Sequence, residues 1–314
     1  MEKKSTGYLK KNQKNNSRAF VVLCNNVKFF HHFCKWFPKE EFLDYDFYVV
    51  FDNRLNNIQE ELELVRDSTD NDNIRKFNVI NGDEILEFYK DEFKFAYKNK
   101  FCLNNLKDVY FLENYDYVYG QDDDIVVFRY GKVWQTKQNV IWESGNLSEK
   151  LMYKDFIENY VKEKSFIDLD KVHVTHVGQY FLNQSIKNTY KKSISRIYND
   201  EELVDKLVNE KRQSVPNGWY LDNLIMRMAL TFYEEVKYKN YQFCSILGNR
   251  YLLNKDTHLN KKSVLFHYTA GKKPEIYAQL ERLCLTKLFK PNNMSIKEDN
   301  LTTISRKYYG NTPT

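Results

Sequence analysis

Short apolar runs alternate with segments of helical spacing from residue 18 to residue 130. Arg18–Cys24 and Asp46–Phe51 are rich in β-branched or aromatic residues and are each followed by polar residues, which predicts two buried strands. Further strands are predicted at Phe77–Ile80, Tyr115–Tyr119 and Ile125–Phe128. Helices are predicted at Val27–Phe37, Glu60–Arg66, Asp83–Lys98 and Phe101–Leu112. This alternation predicts an α/β fold, with a Rossmann-related, mostly parallel sheet flanked by helices.

The pattern is more mixed in the second half of the chain. Leu151–Glu163 and Tyr220–Tyr233 are predicted to be helices, and Lys171–Leu182 and Ser263–His267 to be strands. No internal repeat or linker is found in the sequence, which favours a single domain over residues 18–290. Within it, residues 18–130 form a first half and residues 131–290 a mixed second half. Residues 1–17 and 291–314 are predicted to be a polar extension and a polar tail.

Composition excludes several classes of protein. The 314 residues are 42% hydrophobic and 16% aromatic, which is incompatible with a disordered chain. The longest apolar runs, Ala19–Cys24 and Phe47–Phe51, are too short to span a bilayer, and no signal peptide is visible. The net charge of +5 comes from interspersed residues without a basic stripe, so nucleic acid is not expected as a partner. We therefore expect a cytoplasmic protein without a transmembrane segment.

The strongest chemical feature is a run of three carboxylates, Asp122-Asp123-Asp124, at the end of a predicted strand. Adjacent carboxylates repel one another, which favours either a bound cation or exposure to solvent. Alternate residues of an extended segment share a face, so Asp122 and Asp124 can ligate one Mg²⁺ or Mn²⁺ together. Ligands bind at the carboxyl ends of the strands in open α/β sheets, which favours the cation. The alternative is an acidic turn between strands that lies in solvent.

A second feature is a histidine followed by two lysines, just after another short predicted strand. The neutral imidazole of His267 can complete the coordination of a metal. Lys272 or Lys273 would neutralise a diphosphate, and Gly271 would let the backbone approach it closely. The alternative is a turn with a solvated pair of lysines. Neither GxGxxG nor GxxxxGK[ST] occurs in the sequence, so a bound nucleotide needs other groups to hold its phosphates.

Together these two features resemble the GT-A fold glycosyltransferases. A strand that ends in Asp-x-Asp, with His-Tyr-x-x-x-x-Lys-Pro following at position 267, is most similar to the family 8 type. The resemblance extends over residues 18–280. It implies that Asp122, Asp124 and His267 hold a divalent ion and that Lys273 binds the diphosphate of a nucleotide sugar. It also makes residues 18–130 the nucleotide-binding half and residues 131–290 the acceptor-side half.

The resemblance implies further contacts to the nucleotide sugar. Asn25 and Asp52 follow the first two predicted strands, which face the nucleotide in GT-A enzymes. Lys100 lies at the start of the helix before the acidic run, where such enzymes often place another nucleotide contact. The remaining residues expected in the nucleotide-sugar site are Asp123, Gly271 and Lys272.

The sequence departs from the family 8 pattern at several positions. Glu275 replaces the tryptophan that follows Lys-Pro in the family, and Gly271 is displaced by one position. Gln121 interrupts the apolar run before the acids. The Asn-Ala-Gly segment on the acceptor side is absent, and His176–Tyr180 is the segment expected in its place. On that basis Gln179 is a candidate for acceptor binding.

A third feature is a loop with an aromatic pair before a predicted helix, in the segment 216–223. Trp219 can stack on the face of a sugar, and Asp222 lies at the start of the helix, where the dipole favours its ionised form. Asp222 is thus the candidate catalytic base, which would accept a proton from the acceptor hydroxyl. The alternative is a helix-capping acid beside a core tryptophan.

These features predict a metal-dependent glycosyltransferase. It would move a sugar from a nucleoside diphosphate sugar, expected to be a UDP-sugar, to a hydroxyl of a glycan or another acceptor. Mn²⁺ or Mg²⁺ would assist departure of the diphosphate. Two alternatives remain open: a nucleotide-sugar-binding protein without transfer activity, and a metal-dependent phosphoryl or nucleotidyl transferase that uses the same aspartates.

Overall fold

A computed structural model gives the structure of much of the first half of the chain and of parts of the second. The described residues are 16–25, 44–52, 58–123, 125–127, 139–143, 175–209, 237–239 and 265–267, with the single positions 30, 33, 34, 37, 42, 137, 225 and 226. All structural statements below concern these residues.

Nine strands are found within the described residues. They are β1 Arg18–Cys24, β2 Tyr45–Phe51, β3 Asn78–Asn81, β4 Tyr117–Asp122, β5 Ile125–Val127, β6 Val140–Glu143, β7 Thr175–Asn183, β8 Lys237–Lys239 and β9 Leu265–His267. Seven of them form one sheet in the order β3-β2-β1-β4-β7-β6-β8. The strands β5 and β9 pair separately as an antiparallel ribbon.

The sheet is mostly parallel. Strands β3, β2, β1 and β4 run parallel to one another, whereas β7 is antiparallel to both β4 and β6, and β8 is parallel to β6. Every residue of β1 is buried, as expected for a central strand of a parallel sheet that is covered on both faces. The pairing of β4 with β7 joins the two halves of the chain within one sheet.

Six helices are found in the same residues. They are α1 Ile58–Ser68, α2 Asp72–Arg75, α3 Gly82–Tyr89, α4 Leu103–Leu112, α5 Lys187–Tyr198 and α6 Glu201–Asn209. None of them is long and apolar enough to cross a membrane. Short 3₁₀ turns at Ala96–Lys98 and Gln184–Ile186 complete the helical elements.

Alternate residues of the central strands pack into two hydrophobic clusters, one on each face of the sheet. From β1, Ala19, Val21 and Leu23 belong to the cluster that contains α3, α4 and α5. Phe20, Val22 and Cys24 belong to the other. That second cluster is rich in phenylalanine, and the rings of Phe20 and Tyr119 stack within it at 4.9 Å between centroids.

Most of the strands and helices predicted for the first half are present, but three predictions need correction. The helix predicted at Asp83–Lys98 ends at Tyr89. Beyond it, Lys94 N–H and Phe95 N–H donate to Asn199 Oδ1 and Tyr198 O at the end of α5 rather than to carbonyls of a continued helix. The strand predicted to end at Tyr119 continues to Asp122. Helix Phe101–Leu112 begins two residues later, at Leu103.

Other predicted elements lie wholly or largely outside the described residues. These are the helices predicted at Val27–Phe37, Leu151–Glu163 and Tyr220–Tyr233. Conversely, α5, α6, β6 and β8 were not predicted from the sequence. The predicted division of the chain into an extension, two halves and a tail stays a prediction.

Candidate active site

The ends of three parallel strands meet at the carboxyl edge of the sheet. Strand β1 lies between β2 and β4, so Cys24, Phe51 and Asp122 end their strands side by side. Two backbone hydrogen bonds continue the pairing past the strands: Asp52 N–H donates to Cys24 O at 3.1 Å, and Asp123 N–H donates to Leu23 O at 3.3 Å. The sequence-predicted residues Asn25, Asp52 and Asp122 are thereby brought to one edge of the sheet, where open α/β folds bind ligands.

Asp122 is the last residue of β4 and is partly exposed. It lies on the same face of β4 as Val118 and Gly120, the face that packs toward α4. Burial raises the pKa of Tyr180 well above its usual range, and the negative charges of Asp108 and Asp122 add to that effect.

Asp123 differs from Asp122 in its surroundings. The side chain is 2% exposed, and its Oδ2 accepts a hydrogen bond from the backbone N–H of Asn25 at 2.8 Å. Strand β4 ends at Asp122, and Asp123 lies in the turn that follows it. The hydrogen bond from Asn25 stabilises the negative charge of the buried Asp123 carboxylate.

Gln121 fixes the turn that contains the acidic run. Its side chain is 1% exposed, and Nε2 donates to the carbonyl oxygen of Ile125 at 2.9 Å. This hydrogen bond connects the end of β4 to the start of β5. Gln121, which interrupts the apolar run in the sequence, thus has a structural role.

The strand pair β5–β9 brings the backbone of His267 next to the strand that follows the acidic run. His267 is the backbone partner of Ile125, which follows Asp124 directly. Asp124 and the side chain of His267 lie outside the described residues. Within the described part of the chain, no three His, Cys, Asp or Glu side chains form a metal-binding group. Carboxylate oxygens and an imidazole nitrogen are nevertheless suitable donors for Mn²⁺ or Mg²⁺, and Asp122 is partly exposed, so the residue types at this edge fit a divalent ion.

Asp52 lies at the same edge beside the beginning of α4. It is buried, and its negative charge adds to the effect of burial in raising the pKa of Cys102 to about 12. Cys102 immediately precedes α4. Lys100, the other predicted nucleotide contact in this region, is exposed, and its ammonium lies 4.9 Å from the centroid of the Phe101 ring.

Sequence reasoning missed a buried polar cluster beneath the site. Lys107 and Asp108 on α4 are each 2% exposed, and Lys107 Nζ lies 2.9 Å from Asp108 Oδ1. Asp108 Oδ2 accepts from Tyr190 OH at 2.9 Å, and its Oδ1 accepts from Tyr180 OH. We call these four residues the Lys107 cluster. Tyr180 on β7 is the strand partner of Gly120, and a Cβ at position 120 would overlap its ring.

The sequence contains one indication of this cluster, which is an adjacent lysine and aspartate within an otherwise mostly apolar helix. Residues 105 to 112 of α4 are all buried, although an adjacent lysine and aspartate ordinarily mark the solvated face of an amphipathic helix. Buried charges require partners, so a tyrosine on a neighbouring strand was a reasonable candidate.

Few of the residues predicted for the acceptor side belong to the described part of the chain. The backbone of Gln179 lies in β7 as the strand partner of Gln121, beside the end of β4. Its side chain lies outside the described part of the chain. So do the other predicted residues of the second half: Trp219, Asp222, Gly271, Lys272 and Lys273.

Comparison with solved structures identifies the fold. The chain is similar to the crystal structure of the galactosyltransferase LgtC in complex with donor and acceptor sugar analogs, with a TM-score of 0.52 and 13% identity over 90% of this chain and 98% of that chain. The chain has a GT-A glycosyltransferase fold. An active-site mutant of LgtC matches with a TM-score of 0.47 and 13% identity over 82% of this chain and 89% of that one. No protein-family model matches the sequence, and no curated protein matches it.

The comparison confirms the fold predicted from the sequence. The mostly parallel sheet flanked by helices is the GT-A-like α/β architecture that the resemblance implied. The acidic turn follows β4 at the carboxyl edge of this GT-A sheet.

Proposed function

We propose that the chain is a glycosyltransferase that moves a sugar from a nucleoside diphosphate sugar, such as a UDP-sugar, to a hydroxyl group of a glycan or another acceptor. The observation that carries this proposal is the pairing of β5 with β9. It puts the backbone of His267 opposite Ile125, beside an acidic turn at the carboxyl edge of a GT-A sheet. This pairing brings the backbone of His267 next to the strand that follows the acidic run, which supports a shared ligand site at the edge where such a sheet binds its ligand.

The donor is proposed to bind along the ends of β1, β2 and β4. Asn25 and Asp52 are the expected contacts to the nucleoside, and both lie at that edge. Asp122, Asp124 and His267 would hold Mn²⁺ or Mg²⁺, which supplies positive charge beside the diphosphate. A diphosphate leaves as a polyanion, so groups that favour negative charge at this position accelerate the transfer.

Residues from the second half are proposed to complete the site. Lys272 and Lys273 would bind phosphate oxygens, and Gly271 would leave room for them. Trp219 would stack on a sugar ring, and Gln179 would contact the acceptor. Asp222 would accept the proton of the acceptor hydroxyl as the new glycosidic bond forms. The place of Gln179 on β7, beside the end of β4, supports an acceptor side at this position.

Product analysis tests the proposal. The full chain is incubated with a panel of nucleoside diphosphate sugars and Mn²⁺, with water or added glycans as acceptors. A glycosyltransferase releases the nucleoside diphosphate and the sugar or its glycoside. Release of a sugar 1-phosphate, with the nucleoside monophosphate transferred, or transfer of a phosphoryl group would instead identify a nucleotidyl or phosphoryl transferase. Binding of a donor without turnover would identify a binding protein.

A matched pair of variants assigns the activity to the site. Asp122→Asn is expected to lose turnover, because it removes the charge proposed to hold the ion. Asp116→Asn is the control, since Asp116 is an exposed aspartate just before the opposite end of β4. It is expected to retain turnover. Equal turnover by both variants would contradict the assignment of Asp122.

A further inference from the structure

The buried carboxylate of Asp123 connects the end of β4 to the residue that follows β1. We propose that Asp123 is a positioning residue, which holds the backbone of Asn25 in the position that receives the nucleotide and acts on the ligand through that backbone. This inference rests on the proposed function. It differs from the expectation drawn from the sequence, in which Asp123 contacts the nucleotide sugar itself.

The first argument is the direction and burial of the side chain. Asp123 is 2% exposed, and Oδ2 lies 2.8 Å from Asn25 N, a short hydrogen bond from an amide to a carboxylate. Asp122, by contrast, is partly exposed. The two carboxylates therefore have different surroundings: that of Asp122 is partly accessible, and that of Asp123 accepts a hydrogen bond within the protein.

The second argument is that Asp123 contacts both sides of the last residue of β1. Its own N–H donates to Leu23 O at 3.3 Å, and its carboxylate accepts from Asn25 N–H. Cys24 lies between these two contacts, and its carbonyl accepts from Asp52 N–H at 3.1 Å. Hydrogen bonds thus connect the end of β1 to the ends of both neighbouring strands. The bond from Asn25 N–H to the Asp123 side chain is the last of them along the chain.

The third argument is the hydrogen bond that supports the end of β4 beside Asp123. The buried Gln121 donates to Ile125 O at 2.9 Å and so connects the end of β4 to the start of β5. A carboxylate next to a supported strand end can hold a neighbouring backbone, because its own movement is restricted. Burial of a charged group without hydrogen bonds is unfavourable, so the contact to Asn25 helps to stabilise the buried carboxylate.

The experiment compares Asp123→Ala, Asp123→Asn and Asp122→Asn in the full chain. Binding of UDP with Mn²⁺ is measured by titration calorimetry, and hydrogen exchange is measured at the Asn25 amide. Asparagine retains an oxygen that can accept from Asn25, whereas alanine does not. We expect Asp123→Ala to bind UDP at least about tenfold more weakly and to exchange faster at Asn25, because a hydrogen bond to a charged group is lost.

The conservative variant separates positioning from direct charge. Asp123→Asn is expected to bind UDP within about threefold of the wild type and to keep Asn25 protected, since a neutral bond of the same geometry replaces the charged one. Asp122→Asn is expected to lose the Mn²⁺ dependence of binding while Asn25 stays protected. If Asp123→Ala does not fold, Asp123→Glu replaces it: glutamate keeps the charge but displaces the oxygen that accepts from Asn25, so weaker UDP binding with faster exchange at Asn25 is expected, and unchanged binding would overturn the inference.

Three results would overturn the inference. Unchanged UDP affinity in a folded Asp123→Ala would show that the contact to Asn25 has no effect on the ligand. If Asp123→Asn lost as much UDP affinity in Mn²⁺ as Asp122→Asn does, Asp123 would be a direct ligand of the metal or the phosphates. Failure of the wild type to bind any nucleoside diphosphate or its sugars would overturn the proposed function and, with it, the positioning role.

Discussion

Replacing Lys107 by methionine is expected to destabilise the protein strongly. Lys107 and Asp108 are each 2% exposed, and Lys107 Nζ also donates to Asn104 O at 2.9 Å. Methionine has a similar length and fills most of the space, so the loss comes from the uncompensated carboxylate rather than from a cavity. Removing one partner of a buried ion pair costs about 3–5 kcal/mol. Asp108 keeps its bonds from Tyr180 and Tyr190, so we expect a value near the lower end, about 3 kcal/mol.

The same substitution is expected to change how stability depends on pH. Burial raises the pKa of Asp108 above its usual 3.8, and the charge of Lys107 is the largest of the effects that lower it. Without Lys107 the pKa of Asp108 rises further in the folded state. The folded variant then holds a proton that the unfolded chain releases near its ordinary pKa, so stability falls as the pH rises through the raised value. The deficit relative to wild type is therefore larger at pH 8 than at pH 5.

Urea unfolding of the wild type and Lys107→Met at pH 5 and pH 8, followed by circular dichroism, measures both effects. The control is Lys206→Met, since Lys206 pairs with Glu202 on the surface of α6 and the two side chains are 48% and 77% exposed. The control is expected to lose only about 0.2–1 kcal/mol. A loss at Lys107 no greater than that of the control would refute the argument from burial. A greater deficit at pH 5 than at pH 8 would refute the argument from charge.

Three further predictions concern other buried positions. Gly120→Ala is expected to lower the free energy of unfolding by about 1–3 kcal/mol, because its methyl group displaces the Tyr180 ring; unchanged thermal unfolding would contradict this. Asn71→Ala is expected to cost about 1–2 kcal/mol in urea unfolding, since Asn71 caps α2 and donates to Phe37 O at 2.9 Å. Burial raises the pKa of Cys102 to about 12, so peptide mass spectrometry is expected to find it unalkylated by iodoacetamide at pH 8 until urea is added. Equal alkylation with and without urea would count against that burial.

The central strands could be predicted because their environment is simple. Strands β1 and β2 are buried on both faces, so their continuous apolar runs identify them without knowledge of their partners. Helix α5 was missed even though Tyr190, Ile194 and Ile197 recur at helical spacing and are buried. Its many polar residues concealed a narrow apolar stripe.

The candidate site was predictable where it depends on strand ends. Asn25, Asp52 and Asp122 each follow or end an apolar run, and parallel strands bring such positions to one edge. The pairing of β5 with β9 could not be derived from local pattern, because its two strands are distant in sequence. The hydrogen bond from Asn25 to Asp123 was equally hidden, since nothing in three consecutive acids distinguishes a carboxylate that faces the interior.

The central claim is that the carboxyl edge of this GT-A sheet binds a nucleoside diphosphate sugar together with a divalent ion. Calorimetric titration of the full chain with UDP-sugars, in Mn²⁺ and again in EDTA, tests it most directly. Binding in Mn²⁺ that is largely abolished in EDTA is the predicted result, because the clustered carboxylates would otherwise repel the diphosphate. Equal affinity in EDTA would contradict the metal site. Absence of binding in Mn²⁺ across UDP-sugars and other nucleoside diphosphate sugars would contradict the proposed function.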